Sequence, residues 1–187
     1  MMKIIDVAFQ TIQRLYTEHL SDVLGDEVYH HSYRVCEYSL LVADYYEFNL
    51  QEKIDIAIGS LLHDIGKSYV NQCVLNKTET LTRDDRILIE CHPQHGFLLV
   101  ENLGFNDRVL DIIHHHHERL NASGYPDRLH EENISIYTQI VAVADVYDAL
   151  TSDRVYHKKV SKEKAFSIMR KDDGLNQTVV EILYQLT

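Results

Sequence analysis

The sequence predicts an all-α protein of one domain, on three observations. Two prolines and seven glycines are spread over 187 residues, so few positions interrupt a helix. Apolar residues recur mainly at three- and four-residue spacing, the period of an amphipathic helix and not the alternation of a strand. The length suits one unit with a genuine core and is short for two. Helices are expected near residues 3–20, 27–48, 51–66, 83–102, 106–119, 134–151, 161–170 and 178–186, with irregular stretches near 67–82 and 120–133. A helical extension, residues 1–26, precedes the main unit at 27–187.

The elements carry the chemistry in chain order. Glu27 and His31 stand at i and i+4, so the helix places both on one face. Ile54, Ile58, Leu61, Leu62 and Ile65 draw one apolar stripe and mark a core helix. It ends in His63-Asp64-Ile65-Gly66-Lys67, where Gly66 is expected to relax the C-terminus and leave Lys67 reaching outward. A charged Asp64 on a buried helix costs several kcal/mol unless a cation or strong hydrogen bonds satisfy it. A core His-Asp pair and a metal ligand pair both meet that demand.

His92 precedes Pro93 where one helix would stop and another start, and His95 lies three residues on; one of the two is a ligand candidate. The run His114-His115-His116-His117 is embedded in the pattern of Val109, Ile112 and Ile113. Successive helical residues diverge by about 100°, so at most two of the four serve one centre. Ser123-Gly124-Tyr125-Pro126 supplies turn chemistry. Asp145 ends the uncharged run Ile140 to Ala144; Asp148, one turn later, is expected to cap a helix or to bond a nearby histidine.

Composition narrows the function. A net charge of -11 argues against polymeric nucleic acid, whose capture needs a basic stripe, while a small anion is compatible with metal cations dominating the site. Neither an apolar run of membrane-spanning length nor a secretory pattern at the N-terminus is found. Three cysteines without a Cys-x-x-Cys pair suggest reduced thiols, and a cytoplasmic location is expected. Twelve histidines among carboxylates form an N/O donor set that suits iron, manganese or other six-coordinate divalent ions. Paired ions of that kind activate water and clamp the oxygens of an in-line phosphoryl displacement, so phosphoester hydrolysis is the natural chemistry.

His31-x-x-Arg34-Val35, His63-Asp64-Ile65-Gly66-Lys67, His92-Pro93-x-x-Gly96, His116-His117-Glu118, Gly124-Tyr125-Pro126 and Asp145-Val146-Tyr147-Asp148-Ala149-Leu150-Thr151 share their order and approximate spacing with one family. From about Glu27 onward the chain resembles the HD-GYP proteins of the HD superfamily of metal-dependent phosphohydrolases. The resemblance implies an HD-domain helical bundle with two or three divalent ions, hydrolysing cyclic di-GMP to linear pGpG and in some members on to GMP. It matches His31, His63, Asp64, His92, His116, His117 and Asp145 to metal ligands, with Asp64 bridging, and Glu27 to the version of the site that holds a third ion. Lys67 corresponds to a lysine beside the scissile phosphate and Arg154 to an arginine on a substrate phosphate; Tyr125 and Lys158 join them as substrate contacts.

The chain departs from the pattern at Asn121-Ala122, where the family has Asp-Gly, a change expected to reshape the loop beside the site. Further departures fall at Val70-Asn71, at Val155-Tyr156-His157 and around Leu175-Asn176-Gln177. They leave open another cyclic dinucleotide or nucleotide as substrate, or a catalytically silent cyclic di-GMP receptor. A homodimer, or a regulatory protein acting in trans, is the macromolecular partner expected.

Overall fold

Polar caps start most of the helices. Asn49 and Glu52 form a reciprocal capping box, as do Thr82 and Asp85, while Asn106, Ser135, Ser161 and Asn176 each accept a bond from a first-turn amide. In a computed structural model describing residues 1–15, 25–75, 77–153 and 158–187, the helices are α1 (Met2–Leu15), α2 (Asp26–Tyr45), α3 (Leu50–Leu62), α4 (Gln72–Leu75) and α5 (Arg83–Glu90). They continue as α6 (His92–Val100), α7 (Asp107–His115), α8 (Ile136–Thr151), α9 (Lys162–Met169) and α10 (Gln177–Leu186). The described residues contain no strand, only an isolated bridge between Asn121 and His130. The all-α expectation holds.

Three apolar clusters order the bundle. Val35, Ala43, Ile56, Ile112, Val141 and Ala144 join α2, α3, α7 and α8 at the centre. On one side, Ile5, Ala8 and Ile12 of α1 pack with Leu40, Ile58, Leu61 and Val109. Their spacing of three and four residues gives α1 one apolar face, and all three are at most 3% exposed, so α1 shares this core. On the other side Phe166, Met169, Val179 and Leu183 close against Ile140 and Val143. The ends of α3, α7 and α8 and the first half of α2 are thereby held around one interior space.

Two expectations are corrected where α3 ends. The helix stops at Leu62 and the chain tightens into a 3-10 turn, Ile65–Tyr69, closed by Lys67 N–H donating to the Asp64 carbonyl at 2.9 Å. Gly66 serves close approach and does not relax a helix end: a Cβ there would stand 2.0 Å from the His92 carbonyl oxygen and 2.5 Å from the Gly96 nitrogen. This contact presses the turn against the start of α6, where Pro93 occupies the first turn and divides the expected 83–102 helix.

Candidate metal centre

The centre is built from helix ends. His63, His92 and His116 each turn Nδ1 back to the carbonyl three residues earlier, those of Ser60, Ile89 and Ile113, at 2.7, 2.7 and 3.0 Å. A carbonyl can only accept, so each Nδ1 carries the proton and each Nε2 presents a lone pair. His92 Nε2 and His116 Nε2 then face each other at 3.1 Å in a buried site. Two lone pairs at that distance repel unless a cation lies between or beside them. His63 Nε2 and Asp64 Oδ1 are likewise buried without a well-formed hydrogen bond.

The donors fall into two groups of metal-ligating dimensions. Asp64, His92, His116 and His117 form one, His31, His63 and Asp64 the other, the ligand atoms within each lying within 4.8 Å of one another. Asp64 belongs to both, its Oδ1 3.2 Å from His92 Nε2 and its Oδ2 3.5 and 3.8 Å from the Nε2 atoms of His63 and His31. Asp145 flanks the pair, 3.0 Å from His31 Nε2 and 4.0 Å from His117 Nδ1. Imidazoles and shared carboxylates with unsatisfied atoms fit divalent transition metals, and thiolates play no part.

Charge in the centre is arranged for cations. Burial works against ionised Asp64 and Asp145, but the Lys67 ammonium for the first, and a hydrogen bond and charge from His31 for the second, hold both well below the usual carboxylate range. Burial also depresses His63, His116 and His117, keeping them neutral with lone pairs available. His31 differs: burial would lower it, yet hydrogen bonds with Asp145 and Asp148 raise it.

The expectation that Asp148 bonds a histidine holds. Its Oδ2 accepts from His31 Nδ1 at 2.6 Å, while Arg34 donates Nε to Oδ1 at 2.6 Å and Nη2 to Oδ2 at 3.0 Å, and Ser152 adds a bond at 3.0 Å. Burial would raise Asp148, but the His31 and Arg34 bonds bring it down to about 2. The carboxylate therefore orients His31 with Nε2 toward Asp64 and Asp145.

The rim is assembled from loops. Lys67 does not reach outward as expected; its Nζ folds back to Asp64 Oδ2 at 2.6 Å, because that buried carboxylate is the nearest strong acceptor. A cleft of about 470 Å³ opens beside it, lined also by Val74, Leu75, Lys77 and Ile89. Tyr125 rests on the His117 ring with centroids 4.7 Å apart, and burial pushes its phenol up. Lys158 is exposed, and Arg154 lies outside the described residues. Glu27 is exposed in the first turn of α2 and joins neither donor group. His95 sits against Tyr69 at 5.7 Å and is not part of either group.

Glu118 is the residue to which sequence reasoning gave no role. Buried at 3% exposure, it accepts the backbone amides of Asp127, Arg128 and Leu129 at 2.6, 2.9 and 3.0 Å, and so fixes the loop that carries Tyr125. Gly124 lets that loop close on α7's end, since a Cβ would meet backbone atoms of His117, Glu118 and Arg119 at 2.5 Å. Ala122 stands at φ 58, the left-handed conformation that glycine adopts freely. Asn121 Oδ1 still closes the turn through the Ser123 amide at 3.1 Å. A glutamate directly after the two candidate ligands His116 and His117 was the signal available for Glu118.

The HD domain family model matches residues 18–177. A cyclic di-GMP phosphodiesterase of Pseudomonas aeruginosa is 38% identical over 78% of this chain and 36% of its own length. A 3'3'-cGAMP-specific phosphodiesterase of Vibrio cholerae is 30% identical over 76% of this chain and 31% of its own. The chain thus spans about a third of the length of these curated relatives. A solved HDGYP protein of Bdellovibrio bacteriovorus superposes with a TM-score of 0.73 at 23% identity, covering 97% of this chain and 61% of that one, and shows the same fold. No helix among the described residues is long and apolar enough to cross a membrane. The resemblance drawn from the motifs stands: motifs, bundle and family match agree, and the chain belongs to the HD-domain family.

Proposed function

We propose that this chain hydrolyses cyclic di-GMP to linear pGpG at a centre of two divalent ions, iron or manganese. His31, His63, Asp64, His92, His116, His117 and Asp145 hold them. The observation that carries the reading is Asp64, common to both donor groups and still short of a partner at Oδ1. When bound, such ions polarise the phosphoryl oxygens and lower the pKa of water. Asp148 and Arg34 keep the His31 ring in one tautomer. Lys67, which lines the cleft and holds its ammonium on Asp64, is the proposed group to meet charge developing on a phosphoryl oxygen. Tyr125 offers a flat face beside His117 for a substrate ring. Arg154 and Lys158 remain the proposed phosphate contacts, and Glu27 the proposed ligand of a third ion.

Each phosphate of a cyclic dinucleotide is a diester, so one displacement opens the ring and leaves one terminal phosphate. The linear product therefore accumulates first. The relatives named as cyclic di-GMP phosphodiesterases support the substrate. The free thiols Cys36, Cys73 and Cys91 accord with a cytoplasmic location. A second copy, or a regulatory protein in trans, completes the proposal.

A second substrate, 3'3'-cGAMP, is favoured by the Vibrio cholerae relatives specific for it and by the altered Asn121-Ala122 loop. An anaerobic time course with iron, and separately with manganese, tests both, with products resolved by chromatography. Appearance of pGpG from cyclic di-GMP supports the first reading. Consumption of 3'3'-cGAMP alone supports the second, and consumption of neither by metal-loaded protein favours the silent receptor.

A further inference from the structure

At the end of α7, outside the two donor groups of the centre, a further set of donors converges. His114, His115 and Asp127 each direct one ligand atom to within 4.8 Å of the others. Each donor is braced by its own partner. Asp111 Oδ1 accepts from His115 Nδ1 at 2.7 Å, and its Oδ2 is fixed by hydroxyl bonds from Ser135 and Thr138 at 2.6 and 2.7 Å. His114 Nε2 donates to Gln94 Oε1 at 2.9 Å while Phe97 stacks on the ring at 4.8 Å, which leaves Nδ1 with its lone pair. Glu118 holds the Asp127 amide at 2.6 Å.

With Nδ1 held by Asp111, the other ring nitrogen of His115, Nε2, stands 3.1 Å from Asp127 Oδ2. A ring nitrogen and a carboxylate oxygen at that distance hold a cation between them, either the ring's own proton or a metal. A simple ion pair involves only two of these side chains. His114, its ring 4.4 Å from that of His115, adds a third donor to the same group.

We propose that His114, His115 and Asp127 form a peripheral transition-metal site, separate from the candidate centre and independent of the proposed substrate. Two imidazoles and one carboxylate, each oriented by an outer partner and open to solvent on one side, suit a zinc-type ion with water in the remaining position. The ion ties Asp127 to the end of α7. It therefore fastens the loop bearing Tyr125 beside His117 and links zinc availability to the mouth of the centre.

The test uses the full chain with manganese already in its centre, dialysed free of excess metal, then titrated with zinc while bound zinc and manganese are measured by elemental analysis. The expected result is one further equivalent of zinc taken up with manganese retained, the affinity falling about tenfold or more in His115→Gln and in Asp127→Asn. Asp127→Asn leaves the His115–Asp111 pair in place and guards against a folding defect, which circular dichroism checks in both variants. Zinc uptake matched by manganese release and unchanged in either variant overturns the proposal. So does the absence of uptake, which leaves His115 as the imidazolium of an ion pair.

Discussion

In the interior of the centre, each of His63, His92 and His116 is aimed by the carbonyl three residues earlier, in the last turn of the helix that precedes it, so a helix end sets the direction of the ring. At the rim, Tyr125 and Asp127 lie on a loop whose position depends on Glu118 gathering three backbone amides from nine to eleven residues away. The interior donors move only if a helix moves; the rim moves if one carboxylate is lost. The metal-ligating donors and the loop proposed to meet substrate thus rest on separable supports, and substitutions can divide them.

The largest effect is expected at Asp64, shared by both groups. Asp64→Ala should release the metal and lower activity by more than about 100-fold, beyond the ~10–100-fold that outer partners of a metal site contribute. Elemental analysis with circular dichroism checks this, and a variant that retains both ions shows that Asp64 is not shared. Asp148→Asn comes next. It keeps the shape but weakens the hold on His31 and Arg34, so metal affinity should fall ~10–100-fold with little change in helical content.

On the other side of the comparison, Glu118→Ala removes three charge-assisted bonds from partly buried loop amides and leaves the loop without its anchor. Its expected signature is a lowered Tm and a raised KM with metal content unchanged. Loss of metal in this variant would mean that the rim and the interior are one unit. The smallest effect is at Ala122. Ala122→Gly relieves the left-handed strain of ~1–2 kcal/mol but adds unfolded-state entropy of about 0.4–1 kcal/mol. A net gain of about 0.5–1 kcal/mol should raise Tm by roughly 1–4 °C, with metal affinity unaffected.

The same division governs what could be read from the sequence. Helix period and apolar stripes located the helices that bear His31 and Asp145 and those that end just before His63, Asp64 and His116, and the structure brings these side chains together with His92 and His117. Local spacing could not reveal that Asp148 reaches His31 across 117 residues of chain, although a bond to some histidine was foreseeable. It also could not show that Gly66 is required by the His92 carbonyl, because that contact joins a turn to a helix start far along the chain. Lys67 was misdirected because the helix was expected to run through Asp64, whereas the 3-10 turn that begins at Ile65 folds its ammonium back onto that carboxylate. Glu118 and Arg34 stood inside the motifs, but their work is done on a loop and on another helix.

The most direct test of the shared centre is anomalous diffraction from crystals of the metal-loaded protein at the iron or manganese edge. Two peaks are predicted on either side of Asp64, one within reach of His31 and His63 and the other of His92, His116 and His117. A single peak that leaves Asp64 out of contact, or a fully loaded crystal with no peak among these side chains, would contradict the account.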